Sequence, residues 1–155
     1  MMRTAVWLLP VIVPPVVWWA RRAERRILRH GVPLADPHLA DAAQMGVAHP
    51  ERIRLLHVDT ILLPASPILR LLARGCGLYF PNTAGLTLRY GILIRADCRG
   101  DRRLIAHECV HTAQYEQLGG LGPFLRRYLH ECLALGYPAA PLEQEAIRRS
   151  SAIPG

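Results

Sequence analysis

The chain contains no lysine. All 19 of its basic residues are arginine, set against 12 acidic residues, for a net charge of +7 over 155 residues. The absence of lysine reads as codon bias and not as function. A nucleic-acid partner would call for basic residues interleaved with exposed aromatics, or a known motif; neither is present, so no nucleic acid is expected as partner. The four cysteines, Cys76, Cys98, Cys109 and Cys132, lack zinc-finger spacing, and cytoplasmic residence would leave them as thiols. No strand-to-helix nucleophile turn supports a cysteine protease built on Cys109 or Cys98. There is no low-complexity tract, and the single internal echo is His-Glu-Cys at 107 and again at 130.

What is present is the string His107-Glu108-Cys109-Val110-His111. Two His at i and i+4 share one helical face, so both imidazoles can reach one ion. The Glu beside the first His can hold and deprotonate a water there. A pattern this short also arises by accident, so its surroundings decide. Asp101 stands at an N-cap position, the apolar run begins at Leu104-Ile105-Ala106, and Gly119-Gly120 supply a stop. The string therefore lies inside a helix of about four turns. Upstream, Leu86 to Arg95 reads as one extended stretch, joined to the helix by a polar loop from Ala96 to Gly100. Cys109 points away from the two His.

A third ligand is required. A three-His site would continue to Gly and His where this chain has Gln114 and Gln117, so that class is excluded. The remaining choice is a Glu from a later helix. Glu131 falls in an amphipathic helix begun by Pro123, and Glu143 and Glu145 fall in the first turn of a helix begun by Pro141. Acids in a first turn also suit the helix dipole. All three stay open on this reading.

The run from His107 to Glu116, followed by Gly136-Tyr137-Pro138 and Pro141-Leu142-Glu143-Gln144-Glu145-Ala146, resembles the signatures of small, mostly uncharacterised bacterial zinc metallopeptidases. The resemblance spans residues 36 to 148 and is carried mainly by those after 80. It implies an α+β, minimal zincin-like fold of the gluzincin type, with a small β-sheet beside the H-E-x-x-H helix and two further helices after it. It also implies one Zn²⁺ per chain, held by His107, His111 and Glu143. The related pattern has Asp where this chain has Ile147, which implies a missing hydrogen bond to a zinc-binding His.

The implied activity is that of a zinc-dependent endopeptidase acting on a peptide or protein substrate. Glu108 would be the general base. Tyr137, His130 and Tyr90 are candidate donors to the oxyanion, with Tyr137 taken as the catalytic one. Gly91 to Arg95 is expected along the cleft, paired with an extended peptide. The alternatives are a catalytically silent zincin-fold binding protein and a membrane-surface protein that works through its N-terminus.

That N-terminus is distinctive. No charge occurs from Thr4 to Ala20, Trp7 and Trp18-Trp19 stand near its two ends, and Arg21, Arg22, Arg25, Arg26 and Arg29 follow. Pro10, Pro14 and Pro15 spoil a straight span, and no small-x-small site marks a cleaved signal. Membrane contact through residues 4–29 is expected, on the cytoplasmic side given the basic flank; otherwise the chain is cytoplasmic. The chain divides into this segment, 1–31, and a zincin-like metallopeptidase domain, 32–155. Hydrophobic residues at 51% allow a real core. Expected scaffold elements are helices at Val16 to His30, Pro37 to Met45 and Pro64 to Arg74. A turn is expected at Val32-Pro33, with strands at Glu51 to Val58 and Leu78 to Phe80.

Overall fold

The computed structural model describes residues 6–62, 66, 67, 70, 83–137 and 139–155. Helix α1 spans Leu9–His30, strand β1 Val32–Pro33, helix α2 His38–Gln44 and strand β2 Arg54–Val58. Strands β3, Gly85–Leu88, and β4, Gly91–Arg95, precede helices α3, Arg102–Leu118, α4, Leu121–Leu135, and α5, Pro141–Ser150. The architecture is α+β, with the sheet beside the motif helix α3 and two helices after it. The expected helix at Pro64 to Arg74 and strand at Leu78 to Phe80 fall largely outside the described residues.

The sheet has the order β1-β2-β4-β3, with β2 and β4 parallel and the outer pairs antiparallel. Side chains alternate along each strand, so each face has its own core. Ile92 and Ile94 face α3 and meet Ile105, Cys109 and Ala113. Leu56, Leu86 and Leu93 belong with Ala20 and Ile27 of α1. Helices thus cover both sides of the sheet. Gly91 is required where α1 comes closest, because a Cβ there would stand 3.0 Å from Cβ of Ile27.

The strand expected from Glu51 begins at Arg54, after a 3-10 turn at Pro50–Arg52, and α4 begins at Leu121 and not at Pro123. Three further expectations change. Helix α1 begins at Leu9 and not at Val16. Pro10 sits in its first turn, where the missing N–H would be unpaired anyway. Pro14 and Pro15 deprive the carbonyls of Pro10 and Val11 of their donors, but both residues are exposed to water. Packing of Leu9 and Val13 against Leu133 offsets the loss. Val32-Pro33 is not a turn but an edge strand on β2, a place where Pro is tolerated.

Leu86 to Arg95 is not one extended stretch. It folds back at Arg89-Tyr90 into a hairpin, and Arg89 takes φ 59°, unusual for a residue with a side chain. Two contacts hold it there. Its Nε and Nη2 donate to the buried Glu24 carboxylate of α1 at 2.8 and 3.2 Å, and the Thr112 hydroxyl donates to its carbonyl at 2.7 Å. The hairpin puts β4 between β2 and β3, so both of its edges are taken and it cannot pair with a peptide. Among the described residues β3 is the outer strand on that side. No helix among them is long and apolar enough to cross a membrane.

Helix α3 has the expected limits. The Asp101 carboxylate accepts the Leu104 N–H at 2.9 Å, and Gly119 closes the helix in the left-handed conformation, φ 93°. Its first residue anchors α2: Arg102 forms a two-point ion pair with buried Asp41, at 2.7 and 2.9 Å. The hydrogen bond from Arg102 outweighs burial and holds the Asp41 carboxyl below the ordinary value of 3.8. A carboxylate depressed in the folded state contributes stability above its unfolded pKa and loses it as pH falls through the folded one. Urea melts should therefore show Asp41→Asn less stable than wild type at pH 7. The gap should narrow as pH drops below about 3.8.

Candidate metal centre

The residues of the 107–111 string point in different directions because α3 is buried almost all round. His107 and His111 face α5, and their rings meet edge to face with centroids 4.9 Å apart. Cys109 faces the sheet and is fully buried, which pushes its thiol pKa far up; it is no nucleophile. Cys98 and Cys132 are likewise free thiols, and Cys76 lies outside the described residues.

Glu143 stands opposite the two histidines on the first turn of α5. Its Oε1 lies 3.1 Å from Nε2 of His107 and its Oε2 3.3 Å from Nε2 of His111. The three side chains form the group among the described residues that could hold a metal ion, their ligand atoms all within 4.8 Å of one another. His107 keeps 17% of its side chain open, so the cluster is approached from its side. Burial pushes the Glu143 carboxyl up, but hydrogen bonds from His107 and His111 outweigh it and hold the group ionised. For His111, burial favours the neutral ring, yet the hydrogen bond to Glu143 and the charges of Glu108 and Glu143 raise its pKa. The net field of the pocket favours a cation.

Helix α4 and the turn after it wrap the cluster. The Tyr137 hydroxyl donates to Glu143 Oε1 at 3.0 Å and that of Tyr128 to Oε2 at 3.1 Å. Burial, reinforced by the Glu143 charge, raises both phenol pKa values and keeps them protonated donors. Phe124 and Tyr128 stack at 5.4 Å, and both stand nearly perpendicular to the His111 ring. The other two oxyanion candidates lie elsewhere. His130 is exposed, and the Tyr90 hydroxyl donates to Glu116 at 2.8 Å.

The two alternative glutamates support the site without facing the histidines. Glu131 Oε2 accepts the Leu142 N–H at 2.9 Å, tethering the start of α5 to α4, while Arg127 donates to its other oxygen. Glu145 accepts from Gln114 Nε2 at 2.9 Å and from Arg149. Gln114 thereby becomes legible. Its Nε2 also donates to the Leu142 carbonyl at 2.9 Å, so the amide must present Oε1 to Nδ1 of His111, 2.9 Å away. The ring donates from Nδ1 and aims Nε2, the atom a metal would take, at Glu143. The hydrogen bond expected to be missing because of Ile147 is thus supplied by Gln114, and Ile147 is exposed.

Glu108 turns toward β3. Thr87 donates to its Oε2 at 2.6 Å and to its backbone carbonyl at 3.0 Å. Gly85, on the same strand, leaves room for it: a Cβ there would fall 2.5 Å from Glu108 Oε1. Gly85, Thr87 and Tyr128 were not identifiable as site residues from the sequence, because each meets the site across the chain and carries no spacing signal.

No protein-family model, curated protein or solved structure matches the chain, so the side-chain chemistry alone carries the functional reading. Purified protein should bind one metal ion per chain, measured by elemental analysis. His107→Ala, His111→Ala or Glu143→Ala should abolish this, and Glu145→Ala should not. Gln114→Ala should weaken metal affinity by about 10- to 100-fold through the loosened His111 ring.

Proposed function

We propose that the chain is a zinc-dependent metallopeptidase with a minimal gluzincin-like site. The observation that carries this reading is the set His107, His111 and Glu143 closing on one point while Glu108, on the same helix, stands free of it. Two imidazoles and one carboxylate are the ligand set of a catalytic zinc with one position left open. With ligands at about 2.0–2.1 Å in a tetrahedron, their atoms stand roughly 3.4 Å apart. The imidazole–carboxylate separations, 3.1 Å to one Glu143 oxygen and 3.3 Å to the other, lie near that spacing, with all three ligand atoms within 4.8 Å of one another.

When bound, zinc would acidify a water toward a pKa of about 7 and polarise the scissile carbonyl. The chain's own groups do the rest. Glu108, held by the Thr87 hydroxyl, takes the proton of the attacking water and passes it to the leaving amine. Tyr137 stays protonated, and its single O–H, which donates to Glu143 in this structure, turns to the oxyanion that develops on the substrate. Gln114, Tyr128 and Glu131 keep His111 and Glu143 in place while charge moves. An extended peptide adds along the outer edge of β3, the strand that holds Glu108. This edge replaces β4 in the substrate role.

Glu108→Gln should lower kcat on a peptide library by about 10²- to 10⁴-fold with the metal retained. Gly85→Ala should act in the same direction, because it displaces the same carboxylate. Tyr137→Phe should cost about 10²-fold in kcat if it serves the oxyanion. Wild-type protein that binds zinc yet cleaves no peptide would instead mark a binding scaffold, and cleavage unaffected by Glu108→Gln would overturn the mechanism.

A further inference from the structure

One face of α1 has no partner among the described residues. Trp7, in the turn leading into the helix, is followed at helical spacing by Val11, Pro14 and Trp18, and all four are exposed. Trp7 leaves 84% of its surface open, Val11 73% and Trp18 63%. The opposite stripe, through Leu9, Val13, Ala20 and Ile27, is buried in the fold. Continuing the exposed stripe by the same step reaches Arg22, Arg25 and Arg29. One line along the helix is therefore apolar for its first half and cationic for its second. Where the halves meet, the Arg22 guanidinium lies 4.9 Å over the Trp18 ring.

The apolar end is broader than one helix. Leu8 is exposed beside Trp7. Leu133 of α4 packs on Leu9 and Val13, so the end of α4 lies at this same tip, and there Leu135 is exposed. Four large hydrophobic side chains thus project from one corner of a protein whose net charge is +7.

We propose that this face docks on the surface of a bilayer containing anionic phospholipid. The tip enters the boundary between headgroups and acyl chains, Trp18 lies at headgroup level, and Arg22, Arg25 and Arg29 pair with lipid phosphates. The charge pattern selects this occupant. A nucleic acid would satisfy the arginines and leave Trp7, Val11 and Leu135 in water, whereas a neutral apolar partner would leave the arginines without counter-charge. The helix lies on the membrane and does not cross it, because its other stripe is committed to the core. The proposal is independent of the zinc reading.

The full chain, sedimented with vesicles, should partition onto phosphatidylcholine–phosphatidylglycerol and far less onto phosphatidylcholine alone. Tryptophan emission should shift to the blue on binding. Replacing Arg22, Arg25 and Arg29 with Ser together should weaken binding about a hundredfold. Trp7→Ser with Val11→Ser should remove the blue shift, which Trp18 and Trp19 remain to report. Both variants touch exposed positions, so helicity and metal content should stay unchanged. Three results would each overturn the proposal: no preference for the anionic vesicles, binding undiminished in both variants, or a solution dimer dispersed by the Trp7 substitution with no vesicle binding.

Discussion

Glu143 carries a negative charge into a place that water scarcely reaches, with 2% of its surface open. A carboxylate so placed without partners would be too costly to stay ionised. Four side chains answer it, from three parts of the chain: His107 and His111 from α3, Tyr128 from α4, and Tyr137 from the turn before α5. The packing of the last three helices follows from the need to bring these groups to one carboxylate. The same arithmetic explains the cluster's chemistry. Two imidazole nitrogens and a fixed anion aimed at one point form a set that a divalent cation can hold together once the nitrogens give up their protons.

Helix α3 distributes this requirement over its whole length. Downstream of the two histidines, Thr112 holds the carbonyl of Arg89, Gln114 orients His111, and the Tyr115 hydroxyl donates to the carbonyl of Thr87 at 3.2 Å. Glu116 then accepts N–H groups of Ala48 and His49 and the hydroxyl of Tyr90. Each of these four residues is spent on a specific backbone or ring. The hairpin that carries Thr87 and Gly85 is therefore registered against the helix that carries Glu108. A shift of β3 by one residue would exchange Thr87 for a leucine and leave the Glu108 carboxylate without its donor.

This division also sets what the sequence reveals. Limits of α3 are local events, an Asp101 side chain reaching three residues ahead and a glycine turning left, so residue types and spacing disclose them. The facing of His107 and His111 is helical periodicity. Which glutamate meets them is decided by the angle between α3 and α5, and three glutamates of equal local merit separate only when Gln114, Leu142 and Arg127 are seen beside them. The prolines of α1 mislead for the opposite reason. Their local cost is real, but exposure of the orphaned carbonyls and the contact with Leu133 reverse the outcome. The hairpin at Arg89 was hidden because its turn lacks Gly or Asn, the stabilising partner being Glu24, 65 residues earlier.

Helix α4 joins the two surfaces of interest. Near its start, Phe124 and Tyr128 form the wall behind His111; further along, Leu129 and Leu133 grip the first turns of α1. It ends at exposed Leu135, and Gly136, at φ 86°, reverses the chain so that Tyr137 can reach Glu143. One residue, Gly136, stands between Leu135 at the apolar tip and Tyr137, whose hydroxyl reaches Glu143; those two Cα atoms are at most about 7 Å apart. A change in α4 that tilts Leu133 away from α1 must also move Tyr128 against His111, because a packed helix moves as a rigid body. The shared helix thus joins the apolar tip to the wall behind His111.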